Sequence, residues 1–504
     1  MSKQRQNSSS SGQEQTGLVR QMGLLGLTAT GICSMLGAAI NVIPFMIQRN
    51  VPGIGPFVLS AYLFAAVPAL LAAVAYAVLA SAMPRAGGSY VYASRALNPY
   101  LGFVASFSQW FGLSIAIGVV SYVLIPFLRD IASALGWQVL AATLDAGPAR
   151  LILALVFLWV FVLVNLRGIK LYELTLVPLM FLMFALGSVV IFAGFSFNHQ
   201  EFAAAILERQ GHMMTDAVSA PFRFSNFMAA SALLFASFIG FDSIAQAGSE
   251  ARNPGKTMPL AIAIAVLTVG SFYILFTAAV YHAVPWTYIA EEATKRDLTA
   301  PGLLGNLLSP GWTISIVAGA AVALINDLPA MILAVSRLMF AWAEDGIFPR
   351  HVAHIHAKWH TPHFAIVLSG LMASFGILGS HLAGDFFLGV DILVTSMLVN
   401  FGLMCFSVLT LPKKNPEIAA SVTVVTRRKL QIPLALFGMI ALGGFLIVHI
   451  WKDMSTTVDA WYFHSTPVWL LVMAVASAIY FREYRKLKRS GIDVSSIFSK
   501  LPPE

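Results

Sequence analysis

Residues 24–47 read LLGLTATGICSMLGAAINVIPFMI, an apolar stretch without a charged residue that contains Gly31, Gly37 and Pro44. As a helix rising 1.5 Å per residue, this stretch is long enough to cross about 30 Å of hydrocarbon. Gly37 lies near its centre, and Pro44 has no N–H to donate to the carbonyl of Ile40. The stretch therefore predicts a membrane helix that is interrupted halfway.

The rest of the chain has the same apolar character. Of its 504 residues, 58% are hydrophobic and 11% are charged, against about 25% charged in soluble domains. We therefore exclude a soluble fold and predict an all-α polytopic membrane protein with 12 transmembrane helices. The eleven further spans are expected at Gly55–Leu79, Leu101–Leu128, Leu151–Asn165, Leu171–Phe195, Ser225–Gly248, Pro259–His282, Trp312–Trp342, Phe364–Ser380, Phe386–Leu411, Ile432–Trp451 and Pro467–Phe481.

The distribution of lysine and arginine predicts the orientation, because cytoplasmic loops carry the excess of these residues. With the N-terminus inside, the inner segments hold 23 of the 31 cations and the outer segments hold 8. Both termini are therefore expected in the cytoplasm, residues 1–22 as a disordered tail and residues 483–504 as a second tail. The loops are too short to hold an extramembrane catalytic domain.

A second interruption is predicted in the sixth span. Residues 235–243 read FASFIGFDS, with Gly240 near the midpoint of the span and Asp242 two residues later. Prolines and a glycine follow each break in similar order, within 52–56 and within 254–259. The alternative explanation is that these small residues serve close helix packing.

The spacing of the two breaks indicates an internal repeat. Because five spans make up each copy, the second copy would be inverted in the membrane. Interrupted helices at corresponding positions of inverted repeats point to the binding site of a secondary transporter. The predicted units are residues 23–195 (spans 1 to 5), 225–411 (spans 6 to 10) and 431–482 (spans 11 and 12).

Half-helix ends at the membrane midplane have a defined chemistry. Free N–H groups at a helix N-terminus favour a carboxylate, whereas freed carbonyls favour an ammonium group or a metal cation. A zwitterion such as an amino acid fits a site that offers both.

A carboxylate in the eighth span is the main candidate for ion coupling. Asp327 falls near the bilayer centre, where a charge is costly unless it is paired, protonated or hydrated. Pro329 frees the carbonyl of Ile325, so Asn326 and Asp327 share a turn with a spare acceptor. This cluster suits a proton or a sodium ion, and the alternative is a structural carboxylate paired with a neighbouring helix. Asp242 also has two interpretations, a gating ion pair or an acceptor that holds the broken segment.

Several function classes lack the residues they need. Cys33 and Cys405 lie in separate spans, so neither a disulfide nor a metal-ligand spacing is predicted. The sequence contains no phosphate-binding loop and no catalytic constellation facing water, so ATP-driven transport and enzymatic activity are disfavoured. We expect no cofactor and no nucleic-acid partner. Arg337, near the inner end of its span, is able to extend to the membrane surface and is therefore expected to have a structural role.

Four motifs in combination resemble the amino acid-polyamine-organocation superfamily of permeases. They are GICSMLGAAI at 31–40, YAVLASAMPRAGGSY at 76–90, SFIGFDS at 237–243 with EARNP at 250–254, and SR at 336–337 with EDGIFP at 344–349. The resemblance implies a LeuT-type fold, in which five plus five inverted helices, with helices 1 and 6 interrupted, are followed by two more. It also implies alternating access.

The resemblance further implies the site residues. The substrate carboxylate is expected at the N–H groups of Gly37, Ala38 and Ala39, and the ammonium group at carbonyls around Ser34 and Met35 and at the second break. Ala236 stands where relatives often have a large aromatic residue, which suggests a roomier pocket. The expected substrate-binding set is Ser34, Met35, Gly37, Ala38, Ala39, Ile40, Ser108, Gln109, Phe235, Ala236, Ser237, Phe238, Ile239 and Gly240.

The resemblance also bears on the coupling ion. Asp327 stands where sodium-coupled relatives place a hydroxyl, and the lysine that proton-coupled relatives often use in the fifth span is absent here. Asp327 is therefore expected to be the coupling residue, with Asn326 and Asp242 as further coupling or gating candidates. If the ion is sodium, Asp327 and the Ile325 carbonyl would bind it.

These observations together predict a secondary active transporter of amino acids in the cytoplasmic membrane, working by proton symport. The alternatives are an amino acid or amine exchanger, a carrier of amines that lack a carboxylate, and a nutrient sensor that does not transport. The expected partners are a small amino acid or amine, a proton or a sodium ion, and the lipid bilayer.

Overall fold

A computed structural model describes residues 20–211, 221–383, 386–458, 460–491 and 493–502. Within these ranges the chain forms α-helices and short 3₁₀ turns, without a β-strand. The helices are α1 Leu24–Met35, α2 Ala38–Asn50, α3 Val58–Ala82, α4 Gly88–Ala96, α5 Pro99–Ala134, α6 Gln138–Asp145, α7 Gly147–Leu166, α8 Ile169–Ser196, α9 His199–Gln210, α10 Phe224–Leu234, α11 Ser243–Gln246, α12 Pro254–Ala283, α13 Trp286–Lys295, α14 Ala300–Leu304, α15 Pro310–Glu344, α16 His363–Ala383, α17 Phe387–Lys414, α18 Pro416–Ala420, α19 Arg428–Ser455, α20 Ser465–Arg489 and α21 Val494–Ser499.

Eleven helical segments of the described chain are long and apolar enough to cross a membrane. They include α1 and α2 counted together, and the long helices α3, α5, α7, α8, α12, α15, α16, α17, α19 and α20. The predicted sixth span is represented only by the shorter apolar segment Phe224–Phe238, because the chain breaks after it. The prediction of an all-α polytopic membrane protein is confirmed.

The predicted tails and loops differ in how much helix they contain. The N-terminal tail lies outside the described residues up to position 19. The second tail is largely helical, since α20 continues to Arg489 and α21 follows it. The connections between spans contain the amphipathic helices α9 and α13, so the chain outside the spans is more structured than its short loops suggested.

The helices form an inner and an outer group. The segments of α1 with α2, of α5 and of α15 are almost entirely buried, whereas α7, α8, α19 and α20 leave most of their apolar side chains at least partly exposed. Exposed leucine, valine and phenylalanine are the side chains that lipid tails would contact. Helix α5 is central, because it packs against α15, α16 and α17.

Small residues permit the closest of these contacts. A Cβ placed on Gly118 of α5 would lie 2.7 Å from the backbone nitrogen of Ile377 in α16, and one placed on Gly376 would lie 2.5 Å from the carbonyl oxygen of Ile115. Only glycine allows two backbones to approach so closely, as is typical of helix pairs in membranes.

Candidate functional site

The first span is interrupted halfway, where the sequence predicts it. Helix α1 ends at Met35 and α2 begins after Gly37, with Leu36 and Gly37 in non-helical conformations. The first N–H groups of α2 therefore have no partner within their own helix.

The second interruption follows α10. A 3₁₀ turn at Phe235–Phe238 leads into extended backbone at Ile239, and Gly240 has a φ of 133°. That conformation is open to glycine and strained for other residues. Helix resumes at Ser243, whose Oγ donates a 2.6 Å hydrogen bond to the Gly240 carbonyl.

The two interruptions contact each other directly. A Cβ placed on Gly240 would lie 2.5 Å from the carbonyl carbon of Ser34 and 2.8 Å from the Met35 nitrogen. Ser243 Oγ also lies 3.3 Å from the carbonyl oxygen of Thr30 in α1. The broken segments therefore form one site, with backbone polar groups of both at its centre.

Asp327 of α15 lies against the first interruption. A Cβ placed on Gly37 would lie 2.7 Å from Asp327 Cγ and closer still to Oδ2. The side chain is 5% exposed, and its Oδ1 has no hydrogen-bond partner in the described structure. The alternative of a structural carboxylate held by an ion pair therefore finds no support among the residues described.

A cavity of about 60 Å³ lies beside this carboxylate. Asp327 is the one charged side chain in its wall, and the rest of the wall is apolar apart from Ser34. The lining residues are Ser34, Met35, Ala39, Ile43, Leu113, Ala116, Val119, Val120, Ala236, Ile239, Asp327, Met331, Val390 and Leu393.

Part of the expected substrate-binding set meets at this cavity. The structure brings together Ser34, Met35, Ala39, Ala236, Ile239 and Asp327. The contributions of α5 and α17 were missed, because their valines and leucines carry no signal that separates a pocket wall from a packed helix face. Ala236 does line the cavity, as expected of the residue that stands in place of a large aromatic.

Other members of the set lie elsewhere. Phe235 packs near Phe401, and Phe238 packs near Tyr62, while Ser237 is buried outside the cavity wall. Ile40 lines a separate small crevice beside α8 and α12.

Ser108 and Gln109 do not face the cavity. Ser108 Oγ donates a 3.0 Å hydrogen bond to the Ser396 carbonyl and accepts one of 2.8 Å from Trp469 Nε1. The Gln109 amide instead donates to Asp242. Both side chains are therefore committed to contacts between helices.

Asp242 holds the second interruption in shape. Its Oδ1 accepts a 3.1 Å hydrogen bond from the Gly240 N–H, and its Oδ2 accepts the bond from Gln109. Asn326 is similarly committed, since its Nδ2 donates to Cys33 Sγ at 3.0 Å and to the Leu176 carbonyl at 3.3 Å. Oδ1 of Asn326 and Oδ1 of Asp327 are both buried without a partner among the described residues, but of the three coupling or gating candidates only Asp327 lines the cavity.

The two carbonyls of the first interruption that were expected to receive an ammonium group are in contact with neighbouring groups. The Tyr273 hydroxyl of α12 donates to the Met35 carbonyl, and Gly240 packs against the Ser34 carbonyl. Tyr273 was missed by the sequence analysis, although a tyrosine in an apolar span is itself a polar signal.

Buried ion pairs close one end of the bundle. Arg337 Nη2 lies 2.5 Å from Glu250 Oε1, and Arg95 Nη1 lies 2.5 Å from Asp345 Oδ2. Arg337 is 2% exposed, so it does not extend to the membrane surface. A buried carboxylate partner makes burial of the guanidinium possible.

Burial and the Asp345 carboxylate raise the pKa of Tyr90 well above its ordinary value, so its hydroxyl remains a donor to Asp345 at 2.7 Å.

The two ends of the bundle differ. At the end with the ion pairs, Arg95 and Arg85 donate to the carbonyls of Lys500 and Pro502, which docks the C-terminal segment over α4. At the other end, a cavity of about 580 Å³ opens between α2, α17 and α19. Its wall includes Arg49, among other charged residues.

Comparison with known proteins gives the family. A family model described as amino acid permease matches residues 22–475. The branched-chain amino acid permease BcaP of Bacillus subtilis is 26% identical over 94% of this chain and 95% of its own length. The methylthioribose transporter of the same organism is 25% identical over 93% of this chain and 94% of its own length. The low-affinity putrescine importer PlaP of Escherichia coli is 24% identical over 70% of this chain and 72% of its own length. The chain therefore belongs to the amino acid permease family, within the amino acid-polyamine-organocation superfamily, and is a transporter rather than an enzyme.

Proposed function

We propose that this chain is a secondary active transporter that carries amino acids across the cytoplasmic membrane by alternating access, energised by protons through Asp327. The observation that carries the proposal is the unpartnered Asp327 carboxylate beside the cavity where two interrupted helices meet. A buried carboxyl group in this position needs a proton or an external cation. Symport is the form of coupling that the sequence analysis favours.

The proposed architecture is the LeuT-type arrangement. Helices α1 to α8 would form the first repeat, α10 to α17 the inverted second repeat, and α19 and α20 the two appended spans, with both termini in the cytoplasm. The matching interruptions of the first span of each repeat support it. Alternating access would then move the broken segments against α5 and α15.

The test is uptake by purified protein in liposomes. A panel of radiolabelled amino acids and amines is offered with an imposed proton gradient or sodium gradient, to wild type and to Asp327→Asn. Accumulation that one gradient drives and that the variant loses, while exchange of internal for external substrate persists, is the expected result. A variant that still concentrates substrate would exclude Asp327 as the coupling group.

An amine exchanger is the second candidate, and one observation favours it. The cavity offers a carboxylate to a cation, whereas the Ser34 and Met35 carbonyls, two of those expected to receive an ammonium group, are in contact with Gly240 and Tyr273. The relatives transport an amino acid, a thioribose sugar and a diamine according to their names, so the family leaves the substrate open. Liposomes loaded with an amine can separate the two mechanisms. Exchange drives uptake of external substrate from the internal amine whichever way an imposed proton gradient points, whereas symport follows the direction of the proton gradient.

A further inference from the structure

We infer that the Asp327 carboxylate receives the ammonium group of the substrate, so that the cavity takes small apolar primary amines whether or not they carry a carboxylate. The inference rests on the proposed transport function in its second form, the exchanger, and names the contact that selects its substrate. It rests on three features of the site.

The first feature is the charge in the cavity wall. Asp327 is the only charged side chain there, and its Oδ1 is buried without a hydrogen-bond partner among the described residues. Leaving an ionised carboxylate in this state is costly, because burial removes its water. A primary ammonium supplies the missing charge and up to three N–H donors.

The second feature is that the two carbonyls of the first interruption are already in contact with neighbouring groups. The Met35 carbonyl accepts the Tyr273 hydroxyl, and the backbone of Gly240 covers the Ser34 carbonyl. Opening either carbonyl would require the two interrupted segments, or α12, to move away. Asp327 is available without that rearrangement.

The third feature concerns the substrate carboxylate. The N-terminus of α2 favours an anion, but Asp327 Oδ2 already lies in contact with Gly37 at that terminus. A second carboxylate would meet like charge there, which disfavours binding while Asp327 is ionised. The aliphatic walls formed by Leu113, Val120 and Leu393 fit the apolar body of an amine.

Sharing one carboxylate makes protons and the substrate ammonium compete. The titratable groups that face Asp327 are the Cys33 thiol of α1 and the Tyr273 phenol of α12; both types are neutral near pH 7. The cavity walls from α2, α5 and α17 add no titratable side chain. Acidification should therefore weaken amine binding, and the competition favours exchange, the second candidate above.

The experiment compares three ligands of matched shape on the purified full-length chain. They are leucine, its decarboxylated form 3-methylbutylamine, and its deaminated form 4-methylpentanoate, with affinities measured by calorimetry. The amine is expected to bind at least as tightly as leucine, and the acid not to bind. Asp327→Asn should weaken the amine by at least tenfold, whereas the matched control Asp130→Asn, a surface carboxylate paired with Arg129, should leave its affinity unchanged.

A pH series on the wild type tests the same point without a variant. The affinity for 3-methylbutylamine should fall as the pH is lowered. Unchanged amine binding by Asp327→Asn, tight binding of the acid, or stronger amine binding at low pH would each overturn the inference. If leucine is still accumulated in that case, the proposed transport function stands, whereas a wild type that neither binds nor moves any of the three contradicts both.

Discussion

Gly37→Ala is the substitution that most directly tests the contact between the first interruption and Asp327. The new Cβ would lie 2.7 Å from Asp327 Cγ and 3.0 Å from Asp327 Cβ, against 3.4 Å or more in ordinary contacts. Gly37 itself has a negative φ of −123°, so it does not lie in the left-handed region that favours glycine. The printed contacts of the new Cβ are all with the Asp327 side chain.

The size of the effect follows from these distances. Cγ must move from 2.7 to 3.4 Å, a shift of about 0.7 Å, and the Asp327 Cβ must move from 3.0 Å by about 0.4 Å. Rotation about χ1 moves Cγ but leaves Cβ in place, so part of the shift falls on the backbone of α15. Overpacking of this kind costs about 1 to 3 kcal/mol, which corresponds to roughly a 5- to 150-fold loss of substrate affinity if the cost falls on the bound state.

The assay is equilibrium binding of the substrate that the liposome panel identifies, with thermal unfolding in detergent as a second readout. Gly402→Ala is the matched control, since a Cβ on Gly402 would meet no atom within 4 Å. We expect weaker binding and a lower unfolding temperature for Gly37→Ala alone. Wild-type affinity and stability in Gly37→Ala would refute the placement of Asp327 against the break.

Two further predictions concern buried polar contacts. Arg337→Met should lower the unfolding temperature, because it leaves the Glu250 carboxylate buried without its partner at a cost of about 3 to 5 kcal/mol. The double variant Arg337→Met/Glu250→Leu should regain most of that loss. Equal unfolding temperatures of the single and double variants would contradict this reasoning. Tyr273→Phe removes the donor to the Met35 carbonyl at a cost of about 1 to 3 kcal/mol. It should raise the affinity for both leucine and 3-methylbutylamine, measured by calorimetry, because both carry an ammonium group that can bind the uncovered carbonyl. Unchanged affinities would show that this carbonyl does not compete with Asp327 for the ammonium.

The sequence predicts the spans and the interruptions because both depend on local properties. A run of about twenty apolar residues has few alternatives to a membrane helix. Gly37 and Gly240 weaken their helices wherever the neighbouring helices lie. The position of Asp327 near the middle of its helix follows from the span length alone, and the structure brings it to the break.

The partners of individual polar side chains could not be predicted in the same way. Gln109 and Ser108 occupy adjacent positions on α5, and only the packing of neighbouring helices decides that they bond to Asp242 and Ser396. Arg337 had the length to reach the surface, but Glu250, 87 positions earlier in the chain, holds it inside. Contacts between residues so distant in sequence depend on the tertiary fold.

The ion pairs and the cavity act on the same movement. Glu250 follows the second interrupted segment, and Arg337 lies on α15 ten residues beyond Asp327, about 15 Å along the same helix. Moving the broken segment away from α15 at that end would require the Glu250 pair to separate and would also shift Gly240 against Ser34 beside the cavity. Binding of a cation at Asp327 and separation of the Arg337–Glu250 pair would therefore act on the same displacement, that of the broken segment relative to α15. Because the ion pairs are intact and the large cavity opens at the opposite end, the end that carries the C-terminal segment is the closed one. Under the proposed alternating access, substrate release at that end would require the ion pairs to separate.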